Sequence, residues 1–253
     1  MVWEDPRQDW SEFKLCVVRS AWDYCWRRDE FVAWADRAAK ETTLWNSAAV
    51  VRWNTHKRYL CDLTERGVPT VPTALLPRGS QVNLTKMLEA CGWTDAVIKA
   101  AVAQSGRYAM LVSRDGRRAG QAHLDRLLPH EDMLLQPFIA SVPERGELSL
   151  TYVEGEFTHA VRKKAPADDF RVHDDYGGSV TPEAPTKAQI ETGLRALEAV
   201  GEPTLYARVD LVDGPSGEPL IMEFELVEPE LFCRFSPEAV GRLVKAIDRR
   251  LRD

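Results

Sequence analysis

Apolar residues in this chain fall into short runs and period-two alternations, separated by stretches with the 3.6-residue period of amphipathic helices. The most informative alternation lies near the C-terminus, in Tyr206-Ala-Arg-Val-Asp-Leu-Val-Asp and Leu220-Ile-Met-Glu-Phe-Glu-Leu-Val. The cluster Asp213-Gly-Pro-Ser-Gly-Glu-Pro219 divides it, so a β-hairpin is expected. Side chains alternate across a strand. If Ala207, Val209 and Leu211 pack inward with Met222, Phe224 and Leu226, the other face gathers Arg208, Asp210, Glu223 and Glu225. Carboxylates about 4 Å apart repel by roughly 4 kcal/mol at an effective dielectric near 20. A cation offsets that repulsion, and an all-oxygen set suits Mg²⁺. The competing reading is a solvent-facing acidic strand with a structural Arg208–Asp210 pair.

The remaining pattern alternates helices and strands. A buried strand is expected over 13–19, then a polar-aromatic loop over 20–26 and a helix over 28–40. Residues 44–48 read as a connector, 54–67 as one short helix ended by Gly67, and 68–73 as an extended proline-punctuated segment. Next come a helix over 85–91, a strand from Ala96 that carries Lys99, and a return strand over 108–112. After a helix over 119–128, the buried strand 133–139 contains Pro137, which suits a sheet edge or a segment change. A hairpin over 147–153 and 158–162 precedes a charged loop, 163–185, read as a flap. Helices over 187–200 and after Ser236 complete the chain, the last with the stripe Val240, Leu243, Val244, Ile247 and Leu251. Frequent hairpins favour an α+β (α/β) fold with an antiparallel clamp.

Composition narrows the function. The 253 residues are 44% hydrophobic and 28% charged, as in a globular protein with a substantial core. A formal charge of −6 argues against general nucleic-acid binding. No apolar run approaches the ~20 residues that span a bilayer, so no membrane role is expected. Five scattered cysteines favour free thiols and a cytoplasmic setting. Seven of the eight tryptophans precede residue 54, which points to aromatic packing in the N-terminal region.

A Walker lysine loop and a GxGxxG are both missing, against a P-loop NTPase or a Rossmann dehydrogenase. A dispersed set stands in their place: Asn54-Thr-His-Lys57 with Gly67-Val-Pro-Thr-Val-Pro-Thr73, then Val97-Ile-Lys99, Leu135-Gln-Pro-Phe-Ile139 and Gly146-Glu-Leu-Ser149. Asp169-Phe-Arg-Val172 with Gly177-Gly178, Arg208-Val-Asp210 and Met222-Glu-Phe-Glu225 follow. In this order the motifs resemble the ATP-grasp superfamily, within its glutathione-synthetase and RimK-like ligases, over roughly residues 50 to 253. The resemblance implies a fold of two α+β subdomains that clamp ATP, over 51–139 and 140–253, behind a truncated α/β segment over 1–50. It implies that Lys57 and Lys99 hold phosphates, that Gln136, Phe138 and Ile139 form the adenine hinge, and that Glu147 binds ribose. Asp210, Glu223 and Glu225 would hold Mg²⁺, with Arg208, Arg171 and Lys163 at the catalytic centre.

Arg19-Ser-Ala-Trp-Asp-Tyr24 and Leu226-Val-Glu-Pro-Glu-Leu-Phe232 are similar to an ATP-grasp subgroup that includes the O-ureido-serine cyclo-ligase forming D-cycloserine. That likeness implies Arg19, Asp23 and Tyr24 in the substrate pocket, the Arg–Asp pair holding carboxylate and amine. The chain departs from the superfamily in three ways. Glu225 stands where asparagine is frequent, the loop after Lys99 is poor in glycine, and the chain starts where a first strand and helix are normally complete. The reading is an ATP-dependent ligase that activates a small-molecule carboxylate for attack by an amine-type nucleophile. An intramolecular cyclo-ligase and a non-catalytic ATP-binding module are the alternatives, and a plain Ca²⁺-binding hairpin stands further back. Oligomeric state, a homodimer included, is left open.

Overall fold

The computed structural model describes residues 1–104, 106–166 and 177–252. Three sheets organise them. The chain opens with β1 (Leu15–Val17), a 3₁₀ turn over Trp22–Trp26, α1 (Arg28–Glu41) and β2 (Thr43–Trp45). Here β1 and β2 pair in parallel, Leu15 opposite Thr43 and Val17 opposite Trp45. The expected buried strand is therefore only three half-buried residues, and the expected connector supplies its partner strand. Trp10, Phe31 and Trp34 lie beneath this unit, with Trp34 edge-on to Trp10 and stacked on Phe31. Trp3, Trp10 and Trp34 thus form a local core, whereas Trp45 and Trp53 pack into two other cores and Trp22 and Trp26 stay exposed.

The single helix expected over 54–67 is two: α2 (Ala48–Asn54) and α3 (Tyr59–Glu65). The Ser47 hydroxyl accepts from the Val50 N–H, so the first starts earlier. It stops at Asn54, whose amide bridges the Phe224 carbonyl at 2.8 Å and the Leu226 N–H at 2.7 Å. Gly67, at φ +76°, follows α3 as expected. A second buried asparagine, Asn46, donates to the carbonyls of Tyr206 and Leu226 and accepts from the Leu205 N–H. Together they fasten the N-terminal third to the C-terminal sheet.

The four-stranded antiparallel sheet has the order β3 (Ala74–Leu76), β6 (Met133–Pro137), β4 (Ala96–Ala100), β5 (Met110–Val112), with α4 (Leu84–Cys91) and α5 (Arg117–Leu127) packed on it. Pro137 does not mark an edge. Its strand lies inside the sheet, and proline is accommodated as the last residue of the ladder, opposite Ala96. After α6 (Ser141–Arg145) comes the five-stranded antiparallel sheet, ordered β11 (Pro219–Glu225), β10 (Tyr206–Asp213), β7 (Glu147–Val153), β8 (Glu156–Lys164), β9 (Ser179–Pro182). The loop expected over 163–185 is thus partly an edge strand. α2, α3 and α7 (Lys187–Val200) cover one face of this sheet, so the largest core draws on residues on both sides of position 139.

On α8 (Pro237–Arg252) the buried side is rotated from the expected stripe. Ala239 and Ala246 are buried and Leu243 and Ile247 half-buried, whereas Val240, Val244 and Leu251 face solvent. The alanines let the helix sit close to the sheet. No described helix is long and apolar enough to cross a membrane.

Gly146 joins α6 to β7 at φ +75°, ψ −162°, a region reserved for glycine, and a Cβ there would fall 1.9 Å from the Lys163 carbonyl oxygen. Gly146→Ala should destabilise the protein by more than about 2 kcal/mol in urea unfolding. Stability within about 0.5 kcal/mol of wild type would refute this account of the β7–β8 register.

Candidate active site

A cavity of about 400 Å³ opens between the two larger sheets. Lys57, Lys99, Gln136, Phe138, Ile139, Glu147, Lys163, Arg208, Glu223 and Glu225 all line it. Asp210, fully buried, sits behind this wall. Pairing of β10 with β11 puts Arg208 opposite Glu225 and Asp210 opposite Glu223, and the carboxylates of Asp210, Glu223 and Glu225 offer oxygens all within 4.8 Å of one another. They do not face open solvent, which removes the acidic-surface reading.

One expectation for this hairpin fails. The register slips after Asp210, so Ile221 pairs with Leu211 and Met222 is the extra residue of a bulge. Ile221 and Phe224 take the core side, while Met222 joins Glu223 at the cavity, its sulfur 3.3 Å from Lys99 Nζ.

The carboxylates are held by an internal set of cations. Arg208 donates to Asp210 through Nε at 2.9 Å and Nη2 at 3.0 Å, and to Glu225 at 2.5 Å. Lys163 lies 2.7 Å from Asp210 and 3.0 Å from Glu147. Lys57, in the turn between α2 and α3, pairs with Glu223. Burial alone would raise the pKa of Asp210, but Arg208 and Lys163 overcome it and hold that group well below the ordinary range. Burial likewise opposes ionisation of Glu223, which Lys57 brings down to about 2. At Glu225 burial wins over Arg208, and with repulsion from Glu223 and Asp210 it pushes the group up to about 7. Among the described residues Glu225 has Arg208 alone within ion-pair distance, and shares it with Asp210.

Lys99 is the complementary case. Among the described residues no carboxylate lies within ion-pair distance of it, and burial followed by repulsion from Lys57 lowers its pKa. At the hinge, Gln136 donates from Nε2 to Thr73 Oγ1 at 2.9 Å, and its buried Oε1 has no hydrogen-bond partner among the described residues. The Phe138 N–H is taken by the Asp95 carbonyl, and the Ile139 carbonyl by the Val142 N–H.

The substrate residues expected near the N-terminus disperse. Arg19 stacks over the Tyr206 ring and donates to the Pro229 carbonyl at 2.9 Å. Asp23 does not pair with Arg19. It lies exposed, accepting from Trp3 at 3.0 Å and Arg27 at 2.8 Å, because the 3₁₀ turn points it outward. Tyr24 is buried, and its hydroxyl accepts from Gln104 at 2.9 Å. Arg171 lies outside the described residues. Sequence reasoning did not assign several residues of the cavity wall, among them Trp22, Gln104, Arg107, Glu228, Glu230, Phe232 and Arg234. The signal for Glu228 was its place just beyond the acidic strand, next to a proline.

Residues 1–46 match the family model of the D-cycloserine synthetase DcsG N-terminal domain. The cycloserine biosynthesis protein DcsG of Streptomyces lavendulae is 33% identical over 264 residues, covering 99% of this chain and 87% of that protein. The chain belongs to the DcsG family of ATP-grasp ligases. A crystal structure of D-cycloserine synthetase DcsG matches 98% of this chain and 88% of its own with a TM-score of 0.90 at 33% identity. The fold is also that of a D-alanine–D-alanine ligase from Bacillus anthracis complexed with ATP, with a TM-score of 0.66 at 13% identity over 95% of this chain and 79% of that one. ATP-grasp ligase PsnB, complexed with minimal precursor, Mg and ADP, matches 95% of this chain and 78% of its own at 16% identity, with a TM-score of 0.63. This family member is an ATP-dependent carboxylate–amine ligase.

Proposed function

We propose that this ligase closes a ring within one small amino-acid-like molecule, in the manner of D-cycloserine formation from O-ureido-serine. The observation that carries the phosphoryl-transfer half is Lys99, a cation without a carboxylate partner, in one cavity with three clustered carboxylates. A nucleotide phosphate supplies the anion that Lys99 lacks. The choice of substrate rests on the 33% identity to a cycloserine biosynthesis protein across nearly the whole chain.

In this reading Lys99 and Lys57 take the phosphates as point charges, Lys57 moving off Glu223. Gln136 Oε1 accepts from the adenine amine, and Glu147 meets the ribose. The donor set of Asp210, Glu223 and Glu225 is all oxygen, with one oxygen of each within 4.8 Å of the others, which fits a magnesium ion. When bound, that ion neutralises charge on the phosphates. Arg208 stabilises the phosphoryl group in flight, and Lys163 holds Asp210 ionised beneath it and pairs with Glu147. Arg171 is assigned to the same charge from its place in the motif. A substrate carboxylate oxygen attacks the γ-phosphorus and releases ADP. The ureido nitrogen next to oxygen then loses its proton, attacks the acyl carbon and expels phosphate, and water removes the carbamoyl group left on the ring nitrogen as carbamate.

Incubation with ATP, Mg²⁺ and O-ureido-serine should release ADP and phosphate in equal amounts, with a cyclised product by mass spectrometry. Phosphate release only when a separate amine is added would replace ring closure by intermolecular ligation. ATP binding without turnover across amino acids, dipeptides and O-ureido-serine would instead favour a non-catalytic module. The protein should also behave as a soluble species with no need of detergent.

A further inference from the structure

The two segments that set this subgroup apart pack directly on each other. Trp22 Nε1 donates to the Glu228 carbonyl at 3.2 Å, and Arg19 donates to the carbonyl of the next residue, Pro229. From the sheet, Arg208 holds the Glu230 carbonyl at 3.2 Å and Thr151 Oγ1 the Leu231 carbonyl at 3.2 Å. The N-terminal unit therefore acts as a brace for a piece of cavity wall, and the buried carboxylate this wall presents is Glu228.

Glu228 differs from every other carboxylate of the site. Glu147, Asp210, Glu223 and Glu225 each have a lysine or arginine partner. Glu228 is 4% exposed, and among the described residues no cation lies within ion-pair distance. Its hydrogen-bond partners are neutral. Gln104 Nε2 donates to Oε1 and to the Tyr24 hydroxyl, and Tyr24 adjoins the same carboxylate. Burial, and then the charge of Glu225, push it up to about 8. A carboxylate buried without a cation is costly unless it is neutralised or paired. This one lines the main cavity, where a ligand can provide the missing charge.

We propose that Glu228 is the subsite for the α-ammonium group of the substrate, with Gln104 and Tyr24 as positioning residues that aim its carboxylate. The inference rests on the reading above that the substrate is an α-amino acid derivative. It moves amine recognition from Asp23, which faces solvent, to a residue on the wall that follows the carboxylate cluster.

The test is a cycle of two ligands and two proteins, read by calorimetric binding with a non-hydrolysable ATP analogue and Mg²⁺ present. O-ureido-serine should bind wild type at least about 30-fold more tightly than its analogue lacking the amino group. In Glu228→Gln, which keeps the size and hydrogen bonding of the side chain, that discrimination should fall to within about 3-fold. Affinity for the nucleotide should stay unchanged. Glu228→Asp, which retains the charge, should recover part of the discrimination and covers the case in which the glutamine variant does not fold. Equal binding of the two ligands by wild type, or full discrimination in Glu228→Gln, overturns the proposal. Failure of wild type to turn over O-ureido-serine is read separately, by phosphate release, and bears on the reaction. D-Serine and D-alanine with their des-amino counterparts then test the subsite, and equal binding within both pairs overturns it.

Discussion

Glu223→Gln should lower kcat by at least about 10²-fold while leaving the fold intact. The residue sits beside the bulge that brings Met222 to the cavity, and it is the carboxylate that Lys57 occupies. Substitution removes one negative oxygen from a three-carboxylate set, so the Mg²⁺ concentration needed for half-maximal rate should rise. The same change frees Lys57 from its ion pair, so binding of ADP without metal should not weaken. That opposition separates a metal role from general damage to the site, which would weaken both. A variant with near-normal kcat at low Mg²⁺ would show that Glu223 is not a ligand.

The acidic hairpin was legible because it depends on local periodicity. Arg208 and Asp210 alternate with Val209, Glu223 and Glu225 with Phe224, and the turn between them is rich in glycine and proline. Met222 was not legible, since a bulge is set by how Ile221 and Phe224 together fill the core, and the alternation rule has no term for an inserted residue. For the same reason Pro137 suggested either a sheet edge or a segment change. Proline reports only that its own N–H is unavailable, which the end of an interior ladder satisfies equally well.

Long-range polar contacts explain the other gaps. Asn46 and Asn54 anchor to backbone groups more than 150 positions away, and nothing in their neighbourhoods marks them for contacts at that distance. Substituting Asn46 would leave two carbonyls and one N–H without partners, which explains how a short N-terminal unit stays fixed to the sheet it braces. Asp23 shows the converse. Its place after a strand suggested a ligand-facing loop, but a single 3₁₀ turn rotates it onto Trp3 and Arg27.

Lys163→Met should cost about 3 to 5 kcal/mol of stability near neutral pH, and should remove turnover with it. Lys163 is 5% exposed and is the shared cation of Asp210 and Glu147. Without it Asp210 keeps Arg208, whereas Glu147 has no other ion pair among the described residues. The sign of the pH dependence follows from both partners. Burial works against the Lys163 charge, but Asp210 and Glu147 raise its pKa above the ordinary 10.5, so its contribution is present below that value and fades as pH climbs beyond it. Asp210 is held below its ordinary 3.8 by Arg208 and Lys163 in spite of burial, so its contribution is present above that value and is lost in acid. The difference between wild type and Lys163→Met should therefore form a plateau between about pH 4 and pH 10 and shrink on both sides. Urea unfolding at a series of pH values measures it. A difference that stays constant down to pH 2 would mean that the variant loses packing alone, and that the buried cation does not help to keep Asp210 ionised.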